Sequence, residues 1–277
     1  MMPSMFSGVA GLNTHQRRMD VIANDIANVN TPGYKQSDVT FSEQLISTLR
    51  APAPASPGMQ IGTGVQIGSI TRDFNDGVLF ETGQSANVGI AGDGFFVVAD
   101  PETGTKYFSR AGDFVEDVNT ATGETYLITP SGERLQGIMD PNPDATGLTS
   151  ADLVDIVLPA NTTSYTIGLD GRIYASISGG TPTVVGMVPL AQFENCNGLE
   201  SIGHNQYAGT SASMERAMVN PGNSGCGNLY QGYLENSNTN LAKEFTEMII
   251  TERGFQANSR SITTSDEMLQ ELLTLKR

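Results

Sequence analysis

Few residues of this chain have the types and spacings that catalysis or metal binding requires. Its 277 residues include two histidines, His15 and His204, and two cysteines, Cys196 and Cys226. The cysteines are too far apart for the Cys-x-x-Cys spacing of zinc and thioredoxin-like sites. The chain also contains neither the Gly-x-Ser-x-Gly motif of serine hydrolases nor the His-Glu-x-x-His motif of zinc proteases. Whether the two cysteines pair is left open by the sequence.

Two loops have a superficial likeness to ligand-binding loops. The segment Gly89–Gly94 is rich in glycine, but Asp93 stands where a phosphate loop has lysine, and a strand is predicted to follow it where that loop has a helix. The acidic turn Asp140–Asp144 lacks the alternating aspartates of a calcium loop. We therefore predict no catalytic, cofactor-binding or metal-binding residues, and a protein that is not an enzyme.

The negative charge is concentrated in the middle of the chain. The net charge is −15, and the segments 1–50 and 236–277 are almost neutral, with four basic against four acidic residues and five against six. Phosphate binding needs a basic patch, so nucleic acid is excluded as a partner. No run of apolar residues is long enough to span a membrane, and the first residues lack the pattern of a cleaved signal peptide.

The elements that would position any functional surface are helices at the two ends. Apolar residues recur at three- and four-residue steps near the start and every seven residues near the end, a spacing that predicts amphipathic helices packing on other helices. The start helix is predicted over residues 4–29, and Thr31-Pro32-Gly33 ends it. The predicted assembly surface consists of Val9, Leu12, Met19, Ile22, Ile26, Leu241, Phe245, Met248, Phe255, Ile262 and Leu269.

The middle of the chain has the two-residue period of β-strands. Turns at 100–104 and at Asp170-Gly171 predict hairpins. A short helix is predicted over Phe41–Leu49. The predicted divisions are an N-terminal helix segment (1–35), a connector (36–60), a β-rich body (61–235, with a break near 140–150 that would separate two subdomains) and a C-terminal helix segment (236–277). Gly254 inside the last helix predicts either that another backbone packs closely there or that the helix bends.

Motifs at both ends and in the middle resemble those of one protein family. The stretches 7–12 and 19–35 resemble the N-terminal signature of bacterial flagellar rod and hook proteins, and 237–245, 253–259 and 263–269 resemble the C-terminal signature. The stretches 94–98 and 108–114 are similar to the family's β-domain. Asp25 and Gly254 differ from the family's usual Asn and larger residue, which leaves the local packing open.

The resemblance implies an α+β fold and a role in assembly. The terminal helices would pair as a coiled-coil inner domain, outside which lies a mainly antiparallel, all-β middle region. Copies would polymerise helically into the rod–hook axial tube, transmit motor torque and enclose the export channel. The implied partners are other copies, neighbouring rod, hook and hook-junction proteins, and the flagellar type III export apparatus. The implied location is the basal body or hook.

The resemblance leaves the family member open. The segments 198–203 and 229–235 resemble a rod protein, whereas 70–77 resembles a hook protein, and the balance favours the rod. The alternatives are the hook, a flexible universal joint, and, from another class, a non-catalytic surface binding module. The sequence gives neither the helical symmetry nor the rigidity of a tube. A further hypothesis is that the two end helices are loosely ordered in the monomer and become ordered on assembly.

Overall fold

The computed structural model describes residues 3–50, 58–119, 123–140, 144–145, 148–160, 162–177, 180–216, 218–223 and 225–275. Packing divides these residues into two units. The helical unit contains the described residues within 1–29, 36–73 and 239–277, and the β unit contains those within 30–35 and 74–238. The chain is a mixture of helices and antiparallel strands.

Two long helices form the frame of the helical unit. Helix α1 spans Pro3–Ala27 and α2 spans Leu241–Leu275. They run antiparallel, since Gly8 lies opposite Ile262 and His15 opposite Gly254. Asn240 caps α2, because its Oδ1 accepts hydrogen bonds from the backbone N–H groups of Ala242 and Lys243 at 3.0 and 3.3 Å. The first and the last described segments of the chain are thus helical.

Two antiparallel strand pairs complete the helical unit. Strand β1 (Ser37–Glu43) pairs with β4 (Val65–Arg72), and β2 (Ile46–Arg50) pairs with β3 (Met59–Gly62). The helix predicted over Phe41–Leu49 is therefore wrong. Its apolar residues do have helical spacing, but the distant partners β3 and β4 supply ladder hydrogen bonds that local pattern cannot reveal. The predicted connector of residues 36–60 thus contains strands, and its residues 51–57 lie outside the described residues.

The β unit is built on antiparallel sheets. Its largest sheet, with nine strands among the described residues, has the order β13-β10-β11-β7-β8-β18-β17, and β12 and β9 pair at the side with β11 and β10. Smaller sheets are β14-β15-β16, β19-β6 and β20-β5. The strands are β5 Leu79–Glu81, β6 Val88–Ala91, β7 Phe96–Ala99, β8 Lys106–Ser109, β9 Val115–Val118, β10 Thr125–Ile128, β11 Arg134–Gly137, β12 Val154–Asp155, β13 Val157–Leu158, β14 Thr162–Ile167, β15 Arg172–Ile177, β16 Thr183–Met187, β17 Glu200–Gly203, β18 Gln206–Ala208, β19 Asn228–Gln231 and β20 Tyr233–Glu235.

Both hairpins predicted in this region are confirmed. The turn at 100–104 joins β7 to β8, and Asp170-Gly171 joins β14 to β15. Gly171 has φ of 79°, a left-handed conformation that favours glycine. Strand β7 is buried along its whole length, as its apolar run predicts. Aromatic rings fill one part of the core, where Phe95 makes edge-to-face contacts with Phe74, Phe193 and Tyr207.

A buried ion cluster joins the two segments of the β unit that adjoin the helices in sequence. Lys35 Nζ donates to Glu235 Oε1 and to the Asn75 carbonyl, both at 2.7 Å. Glu235 also lies 3.3 Å from Arg110 Nε and accepts a hydrogen bond from the Gly77 N–H. Burial and the nearby Arg110 charge lower the pKa of Lys35. The cluster holds residues 30–35 beside 233–238, a link reinforced by the Gly33 N–H bond to the Glu235 carbonyl.

Candidate assembly surface

Glycines and polar residues line part of the seam between α1 and α2. Gly8 lies against the Ile262 side chain, and Thr251 and Ser265 of α2 are buried. A Cβ added at Gly11 would lie 2.6 Å from the Asn258 side chain, so the amide of Asn258 occupies the space that this glycine leaves. Small residues allow helix backbones to pack closely but bury little apolar surface. Much of the apolar face of each helix is therefore not covered by the other helix.

Gly254 accommodates a side chain from α1. A Cβ at this position would lie 2.5 Å from His15 Cε1, so the imidazole ring occupies the space that the glycine leaves. Phe41 holds the ring from another side in an edge-to-face contact with a centroid distance of 5.5 Å. Burial and the charge of Arg18 lower the pKa of His15. The sequence predicted close packing of another backbone or a bend at Gly254, and the structure instead places a side chain, the His15 ring, against it.

Two carboxylates are buried in the helical unit. Asp25 accepts a hydrogen bond from the Ser37 N–H at 3.1 Å, and Glu244 is almost fully buried in the first turn of α2. Burial, followed by the negative charge of Asp25, raises the pKa of Glu244. Nearby, Arg18 and Glu247 form an ion pair of 3.0 Å between the helices. These charges fix one end of the helix pair, and none of them forms a metal site.

The predicted assembly residues divide into three groups by exposure. Only Ile22 is buried. Half-buried positions are Leu12, Met19, Ile26, Met248, Ile262 and Leu269. The exposed ones are Val9, Leu241, Phe245 and Phe255. The structure thus brings part of the stripe into the helix pair and leaves the rest facing outward.

Other exposed apolar residues on the helices lie outside the predicted set. They are Phe6 on α1 and Ile249, Ile250, Met268, Leu273 and Leu275 on α2. Ile249 and Ile250 fall outside the seven-residue repeat, so the repeat alone could not select them. An exposed apolar face of this extent marks an interaction site on a protein surface. The helices therefore carry the strongest candidate surface for assembly.

A groove lies in the helical unit between α1 and the residues that flank the strand pair β2–β3 on the side of β1 and β4. It has a volume of about 620 Å³ and is lined by Phe6, Val9, Ala10, Asn13, Gln44, Leu45 and Thr63. None of these side chains carries a charge. Its walls are mainly apolar, and the strands β2 and β3 are exposed along their whole length.

The residues considered for chemistry occupy ordinary structural positions. His204 lies in the tight turn between β17 and β18, where it and Asn205 have positive φ. Cys196 and Cys226 are free, and burial raises the pKa of both thiols, that of Cys226 to about 11. No group of His, Cys, Asp or Glu among the described residues could hold a metal ion. In that same part of the chain, no helix is long and apolar enough to cross a membrane.

Comparisons with known proteins match most of the chain. The family described as "Flagella basal body rod protein" matches residues 5–35, "Flagellar hook protein FlgE/F/G D1 domain" matches 89–175, and "Flagellar basal body rod FlgEFG protein C-terminal" matches 230–275. The flagellar basal-body rod protein FlgG of Bacillus subtilis is 38% identical over 284 residues, with 100% of both chains covered. FlgG of Borreliella burgdorferi is 32% identical over 287 residues, with 100% of both chains covered. The flagellar hook protein FlgE of the same organism is 26% identical over 443 residues, with 100% of both chains covered.

Proposed function

We propose that this chain, which belongs to the flagellar basal-body rod and hook protein family, is a subunit of the distal rod. The family is structural and non-catalytic, and its members assemble into an axial polymer. The observation that carries the assembly role in this chain is the exposed apolar face of its two terminal helices. An exposed apolar face of this kind marks a surface that a partner covers.

The lengths of the relatives favour the rod over the hook. The match to the rod protein of Bacillus subtilis needs 284 aligned positions for a chain of 277 residues. The match to the hook protein of Borreliella burgdorferi needs 443 positions, so that hook protein contains a large stretch without a counterpart here. The identity is also higher with the rod protein. A chain without the hook's additional sequence fits the rod.

The proposed mechanism is mechanical. In the polymer, α1 and α2 of many copies pack as a coiled-coil inner tube around the export channel, and their exposed apolar residues are covered by neighbouring copies. The exposed members of the predicted set, Val9, Leu241, Phe245 and Phe255, form the centre of this contact surface together with Phe6, Ile249 and Ile250. The buried cluster of Lys35, Glu235 and Arg110 makes the start of the β unit stiff. Torque then passes from the tube into the β units.

The remaining parts of the proposal concern partners and location. The chain would contact other copies of itself, adjacent rod, hook and hook-junction proteins, and the flagellar type III export apparatus that delivers it. It would lie in the basal body below the hook. We propose that the polymerising part of the chain consists of the terminal helices together with residues 36–73. Residues 74–238 form the outer body.

Labelled basal bodies test this function. Electron microscopy with an antibody against the β unit should place the chain on the rod side of the outer ring, and label along the hook would overturn the rod assignment. Deletion of residues 1–29 should abolish polymerisation and leave the β unit folded. The deletion must stop before residue 30, because Tyr34 and Lys35 are buried in the β unit. If the chain is instead a free-standing binding module, the deletion should leave its ligand binding unchanged. That result would refute the assembly role.

A further inference from the structure

The ring of His15 lies in the notch that Gly254 leaves on the facing helix. A Cβ at Gly254 would lie 2.5 Å from Cε1, 2.7 Å from Nε2 and 3.1 Å from Nδ1 of the imidazole. The edge of the ring that carries both nitrogens therefore faces α2. Because a glycine has no side chain that could accept a hydrogen bond, the contact at this edge is a steric fit and not a polar bond.

One nitrogen of this edge is buried and makes no hydrogen bond with the described residues. That nitrogen is Nδ1. A neutral imidazole carries one proton, so a ring with its proton on Nε2 leaves only an unused acceptor at Nδ1, whereas both nitrogens of an imidazolium are donors. Protonation of His15 would therefore place a buried N–H against the notch with no acceptor. Burial of an unpaired donor is unfavourable, and more so when the group is charged.

The charged neighbour of the ring on α1 is a cation. Arg18 follows His15 by one helical turn, and its guanidinium lies 5.4 Å from the centroid of the Phe41 ring. The same phenyl ring contacts the imidazole edge to face, so a charged His15 would share Phe41 with Arg18. Glu43, also on β1, extends toward β3, where its Oε1 lies 2.7 Å from the position of a Cβ at Gly62.

The acidic residues of α2 near the notch already have partners. Glu247, two turns before the notch, forms the 3.0 Å ion pair with Arg18. Glu252 accepts a hydrogen bond from the Gln256 side chain at 2.9 Å, and Arg253 donates to the same side chain at 3.1 Å. A proton on His15 would thus have to compete with Arg18 for the carboxylate of Glu247.

The other charged residues of the surrounding elements lie farther along or face solvent. Arg17 and Asp20 of α1 are exposed. Asp38 lies three residues before Phe41 on β1, and Arg72 ends β4, opposite the first residue of β1. Among the described residues, the groups that adjoin the ring therefore favour its neutral form.

The direction of the pH effect follows from this geometry. Burial and the charge of Arg18 lower the pKa of His15 from its ordinary value of 6.5. A base with a lowered folded pKa contributes its stability above the unfolded value of 6.5 and loses it as the pH falls through the folded value. The equilibrium for helix pairing should fall by about tenfold for each unit by which the pKa is lowered.

We propose that His15 makes the pairing of α1 with α2 within each copy sensitive to acid. Protonation drives the ring out of the Gly254 notch, and the two helices then separate along the seam around it. At neutral pH the uncharged ring fills the notch and the helices stay paired. The consequence for the polymer rests on the proposed assembly function: mild acid should loosen the helices of assembled fibres while their β units stay folded.

Hydrogen exchange of fibres assembled from the full-length chain tests this proposal. Amide protection of residues 241–275, corrected for intrinsic exchange, is compared at about pH 7.5 and about pH 5. Protection should fall in the unchanged chain and stay constant in His15→Gln, whose amide is neutral at both pH values. His204→Gln removes the exposed histidine of the β17–β18 turn and is the matched control, which should behave like the unchanged chain. Constant protection in the unchanged chain, or an equal fall in His15→Gln, overturns the proposal.

Solid-state NMR of the same fibres, with nitrogen-15 in the histidine rings, measures protonation without a variant. Contacts with Gly254 and Phe41 assign the His15 signals. The ring should become charged only below pH 6.5 and should lose its contact with Gly254 at the same pH. A ring that titrates at or above this value, or that stays in the notch when charged, refutes the proposal. If the unchanged chain forms no fibres, the assembly function fails, and the same titration of the monomer in solution still decides the role of His15.

Discussion

Removing the charge of Glu235 should destabilise the β unit more than removing the charge of Lys35, its partner in the buried ion cluster. Glu235 faces two buried cations, with Lys35 Nζ at 2.7 Å and Arg110 Nε at 3.3 Å, and the side chains of all three are at most 2% exposed. Glu235→Gln keeps the volume and leaves Lys35 without its carboxylate, whereas Arg110 keeps its ion pair with Asp76 and its hydrogen bonds to two backbone carbonyls. Leaving a buried charge without its partner costs about 3–5 kcal/mol. For a unit of this size, that lowers the melting temperature by roughly 6–20 °C.

Lys35→Met should cost less, although it alters the same contact. Glu235 then keeps Arg110 and the Gly77 N–H, and the main losses are the charged hydrogen bonds that Lys35 made. A hydrogen bond to a charged group contributes about 1.5–3 kcal/mol. Glu235→Gln should therefore lower the free energy of unfolding more than Lys35→Met, because the glutamate pairs with two cations and the lysine pairs with one carboxylate.

Urea unfolding of the full-length monomer measures both costs. The transition of the β unit is followed by near-ultraviolet circular dichroism of its tyrosines, and the midpoint is converted to a free energy of unfolding with an unchanged slope. Glu194→Gln is the matched control, because Glu194 pairs with Arg216 at 3.2 Å on the surface of the same unit. An exposed pair contributes about 0.2–1 kcal/mol. If Glu235→Gln costs no more than the control, or less than Lys35→Met, the reasoning about the cluster is refuted.

Three further predictions concern the helices and the effect of pH. Gly254→Ala should lower the amide protection of α2 in assembled fibres, because overpacking against His15 costs about 1–3 kcal/mol. In a His15→Ala background the same substitution should raise the protection, because alanine has a helix propensity about 1 kcal/mol better than glycine. A change of protection in the same direction in both backgrounds would contradict the contact. In the isolated monomer, amides of 3–27 and 241–275 should exchange faster than those of the β7 strand, and strong protection of both helices would disprove loose ordering. Burial raises the pKa of Asp113, so its contribution to folding is complete below the unfolded pKa near 3.8 and is lost as pH rises through the folded value. Asp113→Asn should therefore increase the free energy of unfolding at pH 7 and not at pH 3, and equal effects at both pH values would refute this.

The sequence predicted a large part of the architecture, because some patterns act locally. The apolar stripe from Val9 to Ile26 indicated α1, and the Asp170-Gly171 turn indicated its hairpin; both depend on the preferences of a few adjacent residues. The predicted C-terminal helix segment begins at residue 236, whereas α2 begins at Leu241, because Asn240 caps it. The motifs at both ends also indicated the flagellar rod and hook family, which the relatives confirm.

The sequence by itself determined that helices lie toward both ends of the chain and that the middle is β-structure, and its motifs indicated a family that is structural and non-catalytic. Only the tertiary structure decided which apolar residues remain outside. Ile22 is buried and Phe245 is exposed although both belong to the same kind of stripe, because burial depends on which side of each helix packs against the rest of the helical unit. Only the fold, likewise, turned Phe41–Leu49 into strands and placed Lys35 beside Glu235, since both depend on partners far away in the chain. The local spacing of apolar residues determines the type of each element, whereas the burial of each residue depends on the distant segment that packs against it.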